Sequence, residues 1–437
     1  MWEPRDERGE AMNAETPSLS KKQIAAVAAG NALEFYDFLT YTFFAVQIGE
    51  TLFPGSGEAK LLLSLATFGV GFVTRPLGGF VIGRFADRRG RKPAMILSFS
   101  MMGIAIVGLS LTPSYAMIGM AAPVMAVLFR MLQGFALGGE VGPNTAFLVE
   151  AAPPHRRGFY VSLQFATQNF SILIAGGVGL LLSSILSPEA LLSWGWRAAF
   201  LVGALIVPFT IAIRKSLAET LVHDEQQAVE PIGRRKIIII AIAGLLLLAG
   251  ATIGTYTVDY ITTFAQRTLG MKASIAFAAT VLLGVSMTSF NLASGWLADR
   301  YGRKPVALAG WLGMFLAGIP AFLIMVQYRN AAALFSMTAL LGVLMGILTP
   351  PSVTLFTESL PARIRAGALG TVYAVSIAIF GGSAQFMEQL LIDRTGSQIA
   401  PAFYMTAAIA IGVIGIFMLE ETGVKARGTA APLVAAA

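Results

Sequence analysis

Long apolar runs separated by short polar connections set the pattern of this chain. A membrane-crossing helix needs about 20 largely apolar residues. On that measure the sequence divides into twelve candidate spans: 24–48, 60–83, 93–112, 117–149, 159–186, 195–213, 236–262, 273–297, 305–327, 332–357, 367–392 and 401–420. Breaks such as PSYAM, SPEALLSWG and QYRN are short enough for tight connections between neighbouring helices. The runs are too long, and alternate too little, for the strands of a membrane barrel. The pattern therefore predicts an all-α polytopic membrane protein. Residues 1–20 are polar and acidic, and the run from Ile24 lacks a small-residue cleavage site, so it reads as a retained span rather than a signal peptide.

The polar connections repeat. GRFADRRGRKPAM at 83–95 returns as GWLADRYGRKPVA at 295–307, and EAAPPHRRG at 150–158 returns as ESLPARIRAG at 358–367. Each copy follows the second or fourth span of its half. The chain thus reads as two six-helix bundles, 24–213 and 236–420, with a cytoplasmic tail at 1–23, a cytoplasmic linker at 214–235 and a second tail at 421–437. Duplicated membrane halves leave a cavity along their interface that rocking exposes to either side. In the repeated loops Gly83 and Gly295 suit close backbone approach, Gly90 and Gly302 suit a turn, and Asp87 and Asp299 can pair with neighbouring arginines. Together with Arg88, Arg91, Glu150, Arg157, Arg300, Arg303, Glu358 and Arg365 they form a candidate gate that latches one end of the cavity. The plainer alternative is an ordinary set of positively charged loops.

Composition agrees with a membrane solvent: 56% of residues are hydrophobic, only 13% are charged, and mean hydropathy is +0.71. The net charge of +7 would suggest nucleic acid on a soluble chain, but here location decides. With the N-terminus inside, 23 of the 31 Lys and Arg fall on the cytoplasmic side and six on the other, while Arg75 and Arg130 lie within spans. Both termini are therefore expected in the cytoplasm, and no nucleic-acid partner is needed. Zero cysteines exclude disulfides and thiolate metal sites, and two histidines do not build a metal centre. No phosphate loop or nucleophile arrangement is present, so neither an enzyme nor a bound cofactor is expected.

GRFADRRGRK, with its weaker copy GWLADRYGRK, resembles the signature of the major facilitator superfamily. GNALEFYDF, RPLGG at 75–79, RMLQGFALGGEVG at 130–142, EAAPPHRRGFYVSLQ and AIFGGSA resemble the metabolite:proton symporter family within it. The stretch WGWRAAFLVGALIVPFTIAIRKSLAET is most similar to the citrate and tricarboxylate branch. The resemblance covers 24–420. It implies twelve helices in a bacterial cytoplasmic (inner) membrane, acting as a monomer among membrane lipids and driven by a proton gradient.

The chemistry sits on few positions. Asn31, Glu34, Asp37 and Tyr41 fall within an arc of about 120° on span 1, and Gln133, Leu137, Glu140 and Asn144 form a stripe on span 4 beside Arg130. Arg130 and Glu140 are about 15 Å apart along the axis, too far to pair. Facing lipid, each charge would cost several kcal/mol, so these groups line a cavity or pair across helices. Glu34, Asp37 and Glu140 are the candidates for proton coupling. Arg130 is the first candidate for a substrate carboxylate, and Arg75 or Arg130 can meet Glu34 or Asp37; permanent structural ion pairs are the competing reading. Gln164, Gln168 and Asn169 offer a hydrogen-bonding wall on span 5. Tyr256 and Asp259, placed near the outward end of span 7, select ligand or belong to an interfacial aromatic belt. Span 11 departs from the family: Ser383 and Ala384 stand where a Thr-Pro-like pair is usual, which removes an expected bend, and Gln385 and Glu388 come next as solute contacts or as groups near the outer mouth. Position 339, which matches Arg130 in the second half, is Ala, so charge is concentrated in the first.

The resulting expectation is proton-driven symport, with net uptake, of a small organic acid that includes di- or tricarboxylates. A zwitterionic osmolyte or amino-acid-like solute is the alternative substrate. A membrane sensor that binds without transporting is the alternative of a different class.

Overall fold

The computed structural model describes residues 35–89, 91–138, 152–153, 155–216 and 233–423. Regular structure among them is entirely helical. The long helices, in chain order, are α1 (35–52, turning at Phe44), α2 (57–89), α3 (Arg91–Leu111), α4 (Ala121–Leu137), α5 (Arg157–Ile185), α6 (191–216), α7 (Arg234–Arg267), α8 (Ala273–Tyr301), α9 (Arg303–Tyr328), α10 (Ala331–Ser359), α11 (362–395) and α12 (Ala400–Met418). Eight of them, α2, α5 and α7 to α12, are long and apolar enough to cross a membrane, and α3 and α4 contain shorter apolar stretches. Exposed large apolar side chains, such as Phe80, Ile104, Leu205, Leu316 and Phe417, stud the periphery, as hydrocarbon contact allows and water would not.

Helices α1 to α6 form one bundle and α7 to α12 the other, and the two meet along α5 against α8 and α2 against α11. Both seams depend on missing side chains. A Cβ at Gly284 would strike the Leu173 backbone of α5, and one at Gly69 would strike the Gly382 carbonyl of α11. Small residues at these crossings let backbones touch where lipid supplies no hydrophobic drive to hold helices together. Gly295 packs on Gly158 and Ser162; at Gly83 no atom of the described residues lies within reach of an added Cβ.

Irregular turns aim the helices. α2 is interrupted at Thr74, between Gly57–Val73 and Arg75–Arg89, at the RPLGG segment. The expected loss of a bend in α11 is corrected: a π-helical turn, Ile377–Gly381, separates Ala362–Ser376 from Gly382–Thr395. A π turn adds a residue to the helical cycle and redirects the next stretch of helix without proline. A second one, Leu191–Gly195, opens α6.

Candidate solute site and its gates

Asp37 and Tyr41 of α1 and Arg130 and Gln133 of α4 converge, as their helical spacing predicts. They do not form a direct ion pair. Gln133 stands between: its Nε2 donates to Asp37 Oδ2 at 2.7 Å, while its Oε1 accepts from Arg130 Nη1 at 2.7 Å. The amide suits this place because one end donates and the other accepts. Arg130 is wholly buried, and among the described residues its Nε and Nη2 have no hydrogen-bond partner; neither has Asp37 Oδ1. The guanidinium is held instead by rings, with Cζ 4.4 Å from the Tyr41 centroid, 5.0 Å from Phe38 and 5.2 Å from Phe68. Arg75 lies over the other side of the same cage, 4.6 Å from Phe38 and 4.3 Å from Phe72. Phe38 is thus shared by two cations, a contact worth about 0.5–2 kcal/mol each when water is excluded.

Beyond this cage, between the halves, lies a cavity of about 90 Å³. Pockets that hold small-molecule ligands span roughly 300–1,000 Å³, so the cavity is contracted. Phe35, Phe38 and Leu39 of α1 and Phe165, Gln168 and Asn169 of α5 supply the first-half wall. Thr252, Thr255, Tyr256 and Asp259 of α7, Thr349 of α10 and Tyr373 of α11 face them. Asp37, Arg130 and Gln133 are not on the wall; Phe38 separates them from it. Tyr256 stacks edge-on to Phe68 and Phe72, at 5.9 and 5.5 Å, and closes the ring cage from the second half. Tyr373 and the three threonines do not stand out in the sequence, where a hydroxyl on an apolar helix carries no signal of its own.

Tyr256 and Asp259 lie in the second half of α7, toward its Arg267 end, and both are buried, which does not fit an interfacial belt; α7 runs on past the end assigned to span 7. Glu388 is not at an outer mouth. It is fully buried against α7, its Oε1 accepting from Thr257 Oγ1 at 2.5 Å, while Gln385 Nε2 donates to the Tyr256 carbonyl at 3.3 Å. Neither Gln385 nor Glu388 lines the cavity. Gln164 is buried on α5 but is likewise off the wall.

Among the described residues, contacts join the two halves at both ends of the interface. At the latch end Asp299 of α8 accepts from the Gly158 and Phe159 amides at the start of α5, each at 2.9 Å, and from Arg303 at 3.1 Å. A carboxylate on the first amides of a helix satisfies orphan donors and opposes the helix dipole. Glu358 meets Arg303 at 3.3 Å and Arg157 at 3.6 Å, so this cluster ties the halves together. Past α12, Glu421 accepts from the Arg303 and Lys304 amides at 2.9 and 2.8 Å, and Thr422 Oγ1 donates to Glu358 at 2.5 Å. Gly302, at φ 111°, makes the turn that presents those amides. Arg300 departs from its expected role: it is exposed and lies over the Trp296 and Tyr301 rings. Arg365 braces the α10–α11 connection through the Thr357 and Leu360 carbonyls, and Arg88 is exposed. At the far end Gln47 Nε2 donates to Gln266 Oε1 at 2.8 Å, and Glu50 pairs with Lys60 at 2.9 Å and with Arg267 at 4.0 Å.

Asn31, Glu34, Gly90, Glu140, Asn144 and Glu150 lie outside the described residues, as do the side chains of Asp87 and Arg91. Among the described residues no group of three or more acidic or histidine side chains converges as a metal site would require.

The sequence family described as Major Facilitator Superfamily matches residues 27–382. The citrate-proton symporter of Klebsiella pneumoniae is 33% identical over 416 residues, which is 93% of this chain and 93% of the relative. The proline/betaine transporter of Salmonella typhimurium is 29% identical over 430 residues, 94% of this chain and 86% of the relative. In structure, a D-xylose-proton symporter superposes with a TM-score of 0.73 at 20% identity, covering 91% of this chain and 96% of that one.

Proposed function

The chain belongs to the Major Facilitator Superfamily, and from that premise we propose that it is a proton-coupled symporter for a small solute that carries a carboxylate. Arg130 carries this reading. A buried guanidinium with two nitrogens that have no partner among the described residues suits a planar anion, because its fork matches a carboxylate in two parallel hydrogen bonds. Citrate, proline and betaine, named for the similar transporters, differ in net charge but share a carboxylate.

In the proposed cycle the cavity widens, Phe38 swings off the two guanidinium groups, and the solute carboxylate takes Arg130. Gln133 then loses one partner, and Asp37 is left in a dry surrounding without its bridged cation. An isolated carboxylate there is neutralised by a proton, and Glu34 and Glu140 remain proposed partners in that coupling. Solute and proton thereby occupy the first half together. Rocking of the halves breaks the far-end contacts or the latch, never both, and delivers the pair to the other side. The basic-residue bias assigns the latch end to the cytoplasm, with both termini there, in a bacterial cytoplasmic membrane. We take the solute to be an organic acid and the net flux to be uptake.

A zwitterionic solute is the second reading, favoured by Asp259: the cavity wall offers a carboxylate but no cation, which suits an ammonium group. Protein reconstituted in liposomes, offered radiolabelled mono-, di- and tricarboxylates and betaine-like solutes under separate proton and sodium gradients, decides. Concentrative uptake under the proton gradient alone is expected. An anionic acid moves with less positive charge than its protons, whereas a zwitterion moves with net positive charge. Arg130→Gln is expected to cost about 2–5 kcal/mol in solute binding, at least roughly thirtyfold in affinity; unchanged affinity removes Arg130 from the site.

A further inference from the structure

We propose that the seam between α7 and α11 is a second proton site, distinct from Asp37, in which Asp259 and Glu388 take up and pass on a second coupled proton. The proposal rests on the symport reading above and gives the second half a task in that cycle.

Asp259 is 1% exposed, stands on the cavity wall, and has no hydrogen-bond partner among the described residues on either carboxylate oxygen. Glu388 is 0% exposed; Thr257 donates to its Oε1, and its Oε2 has no partner. Among the described residues no Lys or Arg pairs with either. Two ionised carboxylates so placed would forfeit their hydration for nothing in return, so each needs a proton or a cation to be held there. Gln385, 1% exposed and packed beside them, also has a buried oxygen with no donor. Carboxyl groups of this kind, inside a helical bundle and facing a cavity, mark ion and proton paths.

The seam also leads out. One turn along, Tyr260 donates to Gln389 Oε1 at 2.5 Å, and Gln389 Nε2 donates to Asp393 Oδ1 at 2.7 Å. Asp393 is exposed, near the end of α11 that lies away from the latch. A hydrogen-bonded chain therefore runs from solution at Asp393 through Gln389 to Tyr260, and Glu388 lies within electrostatic reach of Tyr260 and of Asp259, which stands on the cavity. The titratable groups around this line are Tyr256 and Tyr260 from α7 and Tyr404 from α12, with Arg267 near Tyr260 at its outer end. In one turnover a proton from the far side binds the Glu388 carboxylate, transfers to Asp259, and leaves through the cavity once the latch opens. Both carboxyl groups return to their starting state, and no other bond is made or broken. The departure of α11 from its family then has a reason: Ser383 and Ala384 keep the helix intact beyond the π turn, which sets Gln385 and Glu388 against α7.

Full-length protein in lipid vesicles tests this in two ways. In acid-minus-base infrared difference spectra, Glu388→Gln and Asp259→Asn are each expected to remove a carboxyl component that Asp393→Asn leaves in place. In transport, each coupled proton under a gradient of about one pH unit contributes roughly tenfold to accumulation. Glu388→Gln, which does not touch the cavity, is expected to cut accumulation of whichever screened carboxylate or betaine the wild type carries by about tenfold, to the level that Asp37 supports, while solute exchange without a gradient persists. Unaltered carboxyl spectra, wild-type accumulation by both variants, or accumulation driven by sodium alone would each overturn the proposal. If the wild type exchanges no screened solute, the symport reading fails instead, and the spectra still decide whether the seam takes a proton.

Discussion

Arg130 shows how a cation is kept dry without being neutralised by contact. It has one hydrogen bond, from Nη1 to Gln133, three rings against its face, and a carboxylate reached only through that amide. Gln133 is the vulnerable member, because removing it strands a donor and an acceptor together. Gln133→Leu is expected to lower stability by about 1–3 kcal/mol, read as a drop in the thermal midpoint of the purified protein, with proton-driven uptake lost. A midpoint equal to wild type would mean that the amide does not couple the two charges. The meeting of Asp37, Tyr41, Gln133 and Arg130 was legible from helical spacing alone, since charges in hydrocarbon have few places to go. Phe38 was not: a phenylalanine in an apolar helix is unremarkable until its neighbours are known. The burial of Asp259 was not legible, because α7 runs on past the last clearly apolar residue and its end could not be read from hydropathy.

At the scale of elements, the latch joins one helix start to one helix end. Asp299 receives two amides of α5, so Asp299→Asn keeps the size and loses the charge that those donors attract. The expected loss is about 1 kcal/mol, enough to raise the open population about fivefold. The chain has no cysteine of its own, so Ser162→Cys, buried against Gly295, can report opening through its labelling rate. Labelling that does not accelerate in the Asp299→Asn background would show that the latch does not hold the halves. The duplicated loops made Asp299, Arg303 and Glu358 visible in the sequence. Their partners were hidden, because α5 amides carry no side-chain identity and Arg300, near the end of α8, is parted from Arg303, at the start of α9, by the Gly302 turn. The bend of α11 was also illegible: a π turn has no proline to announce it.

At the scale of the molecule, contacts among the described residues join the halves on both sides of a cavity of about 90 Å³. The membrane architecture followed from run length, and the two-bundle division from the repeated loops. Orientation makes a prediction of its own. A phosphatase reporter that matures only outside the cytoplasm is expected to stay inactive when fused after residue 437 and to become active when inserted at Arg329, in the short connection after α9. The opposite pattern would reverse the direction assigned to the latch.

The clasp that Glu421 and Thr422 make on Arg303, Lys304 and Glu358 bears on how this protein should be handled. An affinity handle or fluorescent domain appended at the C-terminus would pull on a segment that helps decide which resting shape predominates. Preparations tagged there are expected to differ in turnover from ones tagged at the N-terminus, and cleavage of the tag should bring the two together.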